Sequence, residues 1–414
     1  MKPSGLACLR CGAGYALAPD RFGCPACASE VPSNLEVVYP ERVRVSQGDS
    51  GPGPRGLWRY AEALPVPAQD AVSLGEGETP LVPCRALGQQ VGVGQLWAKD
   101  EGRNPTWSFK DRLASVGVSF ARSEGRPGVV LSSSGNAGAA AAAYAARAGI
   151  PCIVLTTPSF PAEMQRFMRA YGAVVAALPS PADRWTLNRA VATEWGWFPL
   201  SNTFAPPVGS HPIAVEGCKT IAYEIARDLA WDPPDWVLVP VAYGDGLSGI
   251  HRGFRELVAA GAIAREPRLA AVEVYPSLST ALASGVEGPR LVEQVGASRA
   301  QSVATPQGTY QALRALRESE GAAVVVSDQE IASAHRDLRH VEGLFVEFSA
   351  ALPLAGLRRL RTMGRIGPRE RVVMVVTSGG LKDSEVSVDL GDPVVIEPRL
   401  EALEPILGAQ HDRG

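Results

Sequence analysis

Short β-branched and apolar runs alternate along the chain with longer stretches whose apolar positions recur at helical spacing. Gly128-Val129-Val130-Leu131 leads into an alanine-rich stretch, and Pro151-Cys152-Ile153-Val154-Leu155 leads into a helical one around Glu163–Ala170. Trp236-Val237-Leu238-Val239-Pro240 and Arg371-Val372-Val373-Met374-Val375-Val376 read as buried strands. Strands followed by helices in this rhythm predict a parallel sheet with helices on both faces. Such sheets bind ligands in loops at the carboxyl ends of their strands. From about Asn34 to Ser73 the chain is punctuated by proline and glycine. Its aromatic patch, Leu57-Trp58-Arg59-Tyr60, is expected to pack as an arm on a domain surface.

Composition adds little to the fold but narrows the function. The chain has 414 residues, 46% hydrophobic and 20% charged, which suits an ordinary globular protein of two or three domains. A net charge of −3 gives no reason to expect nucleic acid or an anionic membrane as partner. No apolar run reaches the ~20 residues of a membrane span, and the N-terminus lacks a secretory pattern. A cytoplasmic location is expected.

Four of seven cysteines stand at Cys8, Cys11, Cys24 and Cys27. Two C-x-x-C pairs twelve residues apart suit a zinc ribbon, since each pair turns tightly enough to offer two thiolates to one tetrahedral ion. Four thiolates leave no open coordination position, so such a zinc is structural. Reduced buried cysteines or a redox pair are the alternatives. The charges of residues 1–40 largely cancel, against a nucleic-acid surface.

Four segments carry candidate chemistry. In Asn104-Pro105-Thr106-Trp107-Ser108-Phe109-Lys110-Asp111-Arg112, a lysine falls just inside a predicted helix start. The positive helix end disfavours an ammonium there and favours a neutral, nucleophilic amine able to condense with an aldehyde. On its own, a lysine beside Asp and Arg is more often a solvated ion cluster. Ser132-Ser133-Ser134-Gly135-Asn136-Ala137-Gly138 joins a strand to a helix. Its hydroxyls and free N–H groups make a cradle for a carboxylate, and the Asn136 amide can meet a phenolic oxygen. Tyr243-Gly244-Asp245-Gly246-Leu247-Ser248-Gly249 contains G-x-G-x-x-G, a weak match alone, whose glycines let backbone N–H groups approach a phosphate. Thr377, after the valine-rich strand, offers a hydroxyl that can hydrogen-bond a pyridine nitrogen without protonating it.

These residues, in this order, resemble the fold-type II pyridoxal-phosphate (PLP) enzymes, and among them the threonine synthase group. The resemblance runs through Gly75-Glu76-Gly77-Glu78-Thr79-Pro80-Leu81, Ser108-Phe109-Lys110-Asp111-Arg112, Gly135-Asn136, Glu216-Gly217-Cys218-Lys219-Thr220, Glu342-Gly343-Leu344-Phe345-Val346-Glu347 and Gly380-Leu381-Lys382-Asp383. It implies two open, twisted, mostly parallel sheets flanked by helices, after a small N-terminal zinc-ribbon-like segment. It divides the chain into residues 1–33 as that segment, 34–112 with 208–400 as the large PLP-binding domain, 113–207 as a small mobile domain and 401–414 as a tail. By position, Lys110 looks like the residue that bonds the cofactor and shuttles protons. Asn136 looks like the partner of its 3′-oxygen, Thr377 of its ring nitrogen, Gly244 to Ser248 its phosphate loop and Phe109 a ring neighbour. Ser133, Ser134 and Gly135 are implied to meet the substrate, and a homodimer is implied.

The chain also departs from that group. Trp107 stands where glycine is usual, Ala137-Gly138 replaces a hydroxylated pair, and Tyr275 falls where a small residue is common. The reaction implied is conversion of O-phospho-L-homoserine and water to threonine and phosphate. The alternative is β-elimination or β-replacement on a phosphoserine-like or hydroxy amino acid, as in cysteate synthases or dehydratases. A non-catalytic binder and a nucleotide-dependent dehydrogenase are the readings from other classes.

Overall fold

The computed structural model describes all residues except 1, 19–20, 42–44, 46–52, 134, 159–160, 384–392, 404 and 406–414, and the side chain of Pro181. Within residues 2–382 two parallel sheets dominate. The larger runs Ala322–Val325, Arg268–Glu273, Trp236–Pro240, Arg371–Val376, Gln95–Asp100 and Leu81–Pro83, parallel throughout except for the last, antiparallel strand. The smaller runs Val174–Ala177, Cys152–Thr156, Val129–Ser132 and Phe198–Pro199, all parallel. The valine-rich central strands are buried along nearly their whole length, as parallel strands covered on two faces must be. The architecture is the expected one, and the predicted strands lie at the centres of their sheets.

The N-terminal segment forms a small antiparallel sheet of Gly14–Tyr15, Gly5–Cys8 and Leu35–Val38. Its Asn34 amide donates to the Ser210 carbonyl at 2.9 Å, and Arg314 donates to the Leu9 carbonyl at 2.9 Å.

The aromatic patch at Leu57–Tyr60 corrects the surface-arm expectation. It lies in the 3₁₀ segment Gly56–Ala63 with Leu57, Trp58 and Tyr60 buried. The Trp58 indole N–H donates to Glu76 at 2.9 Å and lies 3.0 Å from the Ser115 hydroxyl, so it is a core anchor. A short 3₁₀ segment carries too few residues to show a periodic apolar pattern, and a single buried indole needs only one polar partner.

Beneath the cleft, Arg112 is wholly buried and donates to Glu101 at 2.7 Å and to Glu224 at 2.6 Å. Lys99 joins Glu224 at 2.8 Å. Burial alone would raise the Glu224 pKa, but Arg112 and Lys99 hold it well below the usual carboxylate range. This network ties the strand ending at Asp100 to the helix beginning at Lys110 and to the Thr220–Asp228 helix.

Residues 383–414 form a separate unit, in which the described part contains one short 3₁₀ turn, Leu400–Ala402, and a Glu397–Arg399 ion pair at 3.2 Å. Among the described residues no helix is long and apolar enough to cross a membrane.

Candidate active site

The carboxyl ends of the strands open on a cleft lined from both sheets. Lys110 is the first residue of its helix, Lys110–Ser123, as the proline-led loop before it predicts. The loop is fastened below: Phe109 N–H donates to the Thr377 carbonyl at 2.9 Å, and Trp107 O accepts from Gly379 N–H at 3.0 Å and from the Ser378 hydroxyl at 2.9 Å. Asp111 accepts from Thr106 through both N–H and hydroxyl, at 3.1 and 2.8 Å. Burial pushes the Asp111 carboxyl up to about 6, against the pull of those Thr106 bonds. Lys110 itself reaches into the cleft, its Nζ 4.6 Å from the centre of the Phe109 ring. Among the described residues it forms no ion pair with any carboxylate. That corrects the bland reading of a salt-bridge cluster: Asp111 and Arg112 are turned inward to other partners and leave the amine facing the cleft.

Across the cleft, Gly135 caps the Asn136–Ala148 helix, and the Ser133 hydroxyl accepts from Gly138 N–H at 2.9 Å and Gly135 N–H at 3.2 Å. Ser133, Gly135 and Asn136 all line the cleft. Ser134 lies outside the described residues. The Asn136 amide is oriented from both ends, its Nδ2 donating to Glu347 at 2.7 Å and its Oδ1 accepting from Lys382. In the sequence Glu347 and Lys382 stand out only as parts of motifs. Their spacing of more than 200 residues from Asn136 gave no sign that they meet it.

The glycine-rich segment is less of a loop than expected. Gly244, in the left-handed region at φ 95°, caps the Asp245–Ala259 helix, so the remaining residues form that helix's first turn. A Cβ at Gly244 would stand 2.3 Å from Ala312 Cβ, and one at Gly246 would stand 3.0 Å from the Phe109 ring. The first N–H groups of such a helix have no partner within it and favour an anion. Gly244, Asp245, Gly246 and Leu247 line the cleft. Ser248 does not: its N–H is spent on the Gly244 carbonyl at 2.9 Å, and it lines a groove on the other side of the helix. The Asp245 carboxylate is drawn onto the neighbouring loop by Ser210, whose N–H and hydroxyl donate to it at 3.0 and 2.7 Å. Thr377 closes the floor at the end of its strand, lining the cleft with no side-chain hydrogen bond among the described residues.

The residues present suit a phosphorylated aldehyde: an unpaired amine, a glycine-lined helix start, an oriented amide and an uncommitted hydroxyl converge on one cavity. A family model described as pyridoxal-phosphate dependent enzyme matches residues 72–378. The chain belongs to that family. Threonine synthase of Methanosarcina acetivorans is 34% identical over 417 residues, covering 97% of this chain and 98% of that protein. Threonine synthase of Methanocaldococcus jannaschii is 34% identical over 411 residues, with the same coverage. Among solved structures, the processed threonine deaminase isoform 2 of Solanum lycopersicum superposes with a TM-score of 0.65 at 22% identity, over 82% of this chain and 91% of that one. The protein is thus a threonine synthase-like, pyridoxal-phosphate-dependent lyase of fold-type II.

Within this PLP enzyme two residues flagged as departures lie off the cleft lining. Trp107 is 41% exposed at φ 59°, its indole 5.5 Å from the Phe167 ring. Tyr275 is buried and donates to the Gly296 carbonyl at 2.8 Å. Conversely, Arg184 and Trp185 line the cleft and were missed. They sit near the start of the Pro181–Glu194 helix, after a strand, where the carboxyl-end rule could have drawn attention to them.

The four N-terminal cysteines also come together, their sulfurs all within 4.8 Å of one another. Tyr15 OH lies 3.1 Å from Cys24 Sγ.

Proposed function

We propose that this PLP enzyme converts O-phospho-L-homoserine and water to L-threonine and phosphate. The observation that carries the proposal is near-full-length similarity to threonine synthases, at 34% identity. Bound PLP supplies an electron sink for the pair left when a proton leaves the substrate Cα. Lys110 would hold the cofactor until the substrate amine takes its place, and its freed amine would then take protons from Cα and Cβ and return protons to Cγ and Cα. Phosphate departs from Cγ, and water adds at Cβ. Asn136, fixed by Glu347 and Lys382, donates to the cofactor's 3′-oxygen. The Thr377 hydroxyl meets the ring nitrogen without ionising it, which tempers the sink. The Asp245–Ala259 helix start receives the cofactor phosphate. Ser133, Gly135 and the free N–H groups beside them hold the substrate carboxylate.

The cysteine quartet suits a structural Zn²⁺ through Cys8, Cys11, Cys24 and Cys27, because four thiolates at tetrahedral spacing leave no reactive position. We further propose that residues 1–33 are a zinc-ribbon-like segment, 34–112 with 208–400 the large cofactor-binding domain, 113–207 a small mobile domain and 401–414 a tail, in a cytoplasmic homodimer. The test is to incubate the yellow holoprotein with O-phospho-L-homoserine and follow phosphate and threonine together. Stoichiometric appearance of both is expected. No turnover, with keto acid formed instead from serine, threonine or phosphoserine, would replace this reaction by β-elimination.

A further inference from the structure

The Asn136 side chain is gripped at both ends by groups of opposite charge. Its Oδ1 accepts from the Lys382 ammonium, and its Nδ2 donates to the Glu347 carboxylate at 2.7 Å. An ammonium can only donate and a carboxylate can only accept, so the amide has a single possible orientation. One of its two N–H groups is spent on Glu347, and the other remains for a ligand in the cleft that Asn136 lines.

Both charged partners are themselves fixed. Buried Glu347 donates its backbone N–H to the Ser378 carbonyl at 3.0 Å, and its second carboxylate oxygen accepts from the hydroxyl of cleft-lining Ser302. Lys382 also donates to Thr106 O at 2.7 Å, on the loop that presents Lys110. Two carboxylates act on its charge: Glu347, beyond the amide, and Asp111, which accepts from Thr106 N–H and hydroxyl at 3.1 and 2.8 Å. Burial lowers the Lys382 pKa to about 8, which leaves the ammonium charged at neutral pH in a place where little water screens it.

A positive charge at an amide oxygen draws electrons from the nitrogen and makes the remaining N–H a stronger donor, by about 10–30% for each bond in such a chain. The gain is largest toward an oxygen that carries negative charge. On the proposed reading Asn136 faces the cofactor's 3′-oxygen, while Thr377 leaves the ring nitrogen unprotonated. An unprotonated ring gives its phenolic oxygen little help to ionise, so the groups around that oxygen decide its charge.

We infer that Lys382 is a positioning residue that acts on the cofactor through Asn136, polarising the amide so that its second N–H holds the 3′-oxygen in the ionised form. The inference rests on the proposed place of the cofactor and is independent of which amino acid reacts.

The experiment compares holoproteins at neutral pH without substrate: native, Lys382→Met, Lys382→Arg, Asn136→Ala and the double variant Lys382→Met/Asn136→Ala. The readouts are the cofactor's visible band, which requires an ionised 3′-oxygen, and the cofactor dissociation constant. In Lys382→Met the visible band should lose intensity to the near-ultraviolet, and the dissociation constant should rise roughly 3- to 10-fold, as for one weakened hydrogen bond. Lys382→Arg, which keeps the charge, should retain most of the band. In the Asn136→Ala background, Lys382→Met should change neither readout further. If Lys382→Met does not fold, Lys382→Gln, which keeps a donor without the charge, takes its place in both backgrounds. A native band in the uncharged variant, or an equal loss with and without Asn136, overturns the inference and leaves the proposed reaction standing. If Asn136→Ala itself alters neither readout, the placing of the 3′-oxygen falls, and this inference with it.

Discussion

Lys382 shows how one buried side chain can couple the site to pH. Its ammonium donates to Thr106 O at 2.7 Å and to Asn136, and burial pushes its pKa down to about 8. An unfolded lysine titrates near 10.4, so the folded state holds the proton less tightly. Below about pH 8 both states are protonated and the folded one bears the full cost of the buried charge; from there towards about pH 10 that cost is relieved, so stability rises. Comparing urea midpoints of the native protein and Lys382→Met across this window should show the difference growing in favour of the native protein as pH rises. A constant difference would mean that Lys382 stays charged. Lys110 was legible because a lysine at a helix start, in a recognisable motif, is an uncommon arrangement. Lys382 and Glu347 were legible as motif letters only, since long-range side-chain pairing leaves no periodic trace.

At the scale of elements, the active site depends on how closely the Asp245–Ala259 helix packs on the turn Glu216–Lys219. A Cβ at Gly253 would come within 2.4 Å of the Lys219 carbonyl and 2.7 Å of Ala222 Cβ. Gly253→Ala is therefore expected to cost about 1–3 kcal/mol of stability by overpacking, read from the denaturant midpoint. It should also weaken cofactor binding, because the same helix begins at the cleft. Trp107 is a second element-level feature. Its left-handed backbone is a cost, and its stacking on Phe167 of the Ala162–Ala170 helix a gain, each on the order of 1 kcal/mol. Trp107→Gly should leave global stability nearly unchanged while amide exchange in Ala162–Ala170 accelerates. Unchanged exchange would show that the indole does not restrain that helix. The parallel strands themselves were plain in the sequence, because burial on two faces demands an unbroken apolar run. The glycine-rich segment was not: the same residues suit a loop or a helix start, and only the packing of Phe109 and Ala312 against Gly246 and Gly244 selects the second.

At the scale of the whole molecule, the N-terminal segment is joined to the chemistry by a short chain of contacts. The Asn34 amide holds the Ser210 carbonyl, and Ser210 in turn holds the Asp245 carboxylate through two hydrogen bonds at the helix start that faces the cleft. Arg252, on the same helix, donates to the Val37 carbonyl at 2.6 Å and pairs with Glu216 at 3.1 Å. Loss of order among Cys8, Cys11, Cys24 and Cys27 would free Asn34 and Val37 from these contacts and let the Ser210–Asp245 loop drift. A structural Zn²⁺ at the quartet would then act on cofactor affinity from a distance, although it touches neither cofactor nor substrate. Removing it with a strong chelator, or mutating Cys27→Ser, should lower the melting temperature. It should also raise the cofactor dissociation constant roughly fivefold or more, a typical coupling between separate sites. Restoring Zn²⁺ should reverse the chelator effect but not that of Cys27→Ser. A chelated protein that contains no zinc beforehand, or that binds PLP as tightly afterwards, would show that the segment stands apart from the cleft.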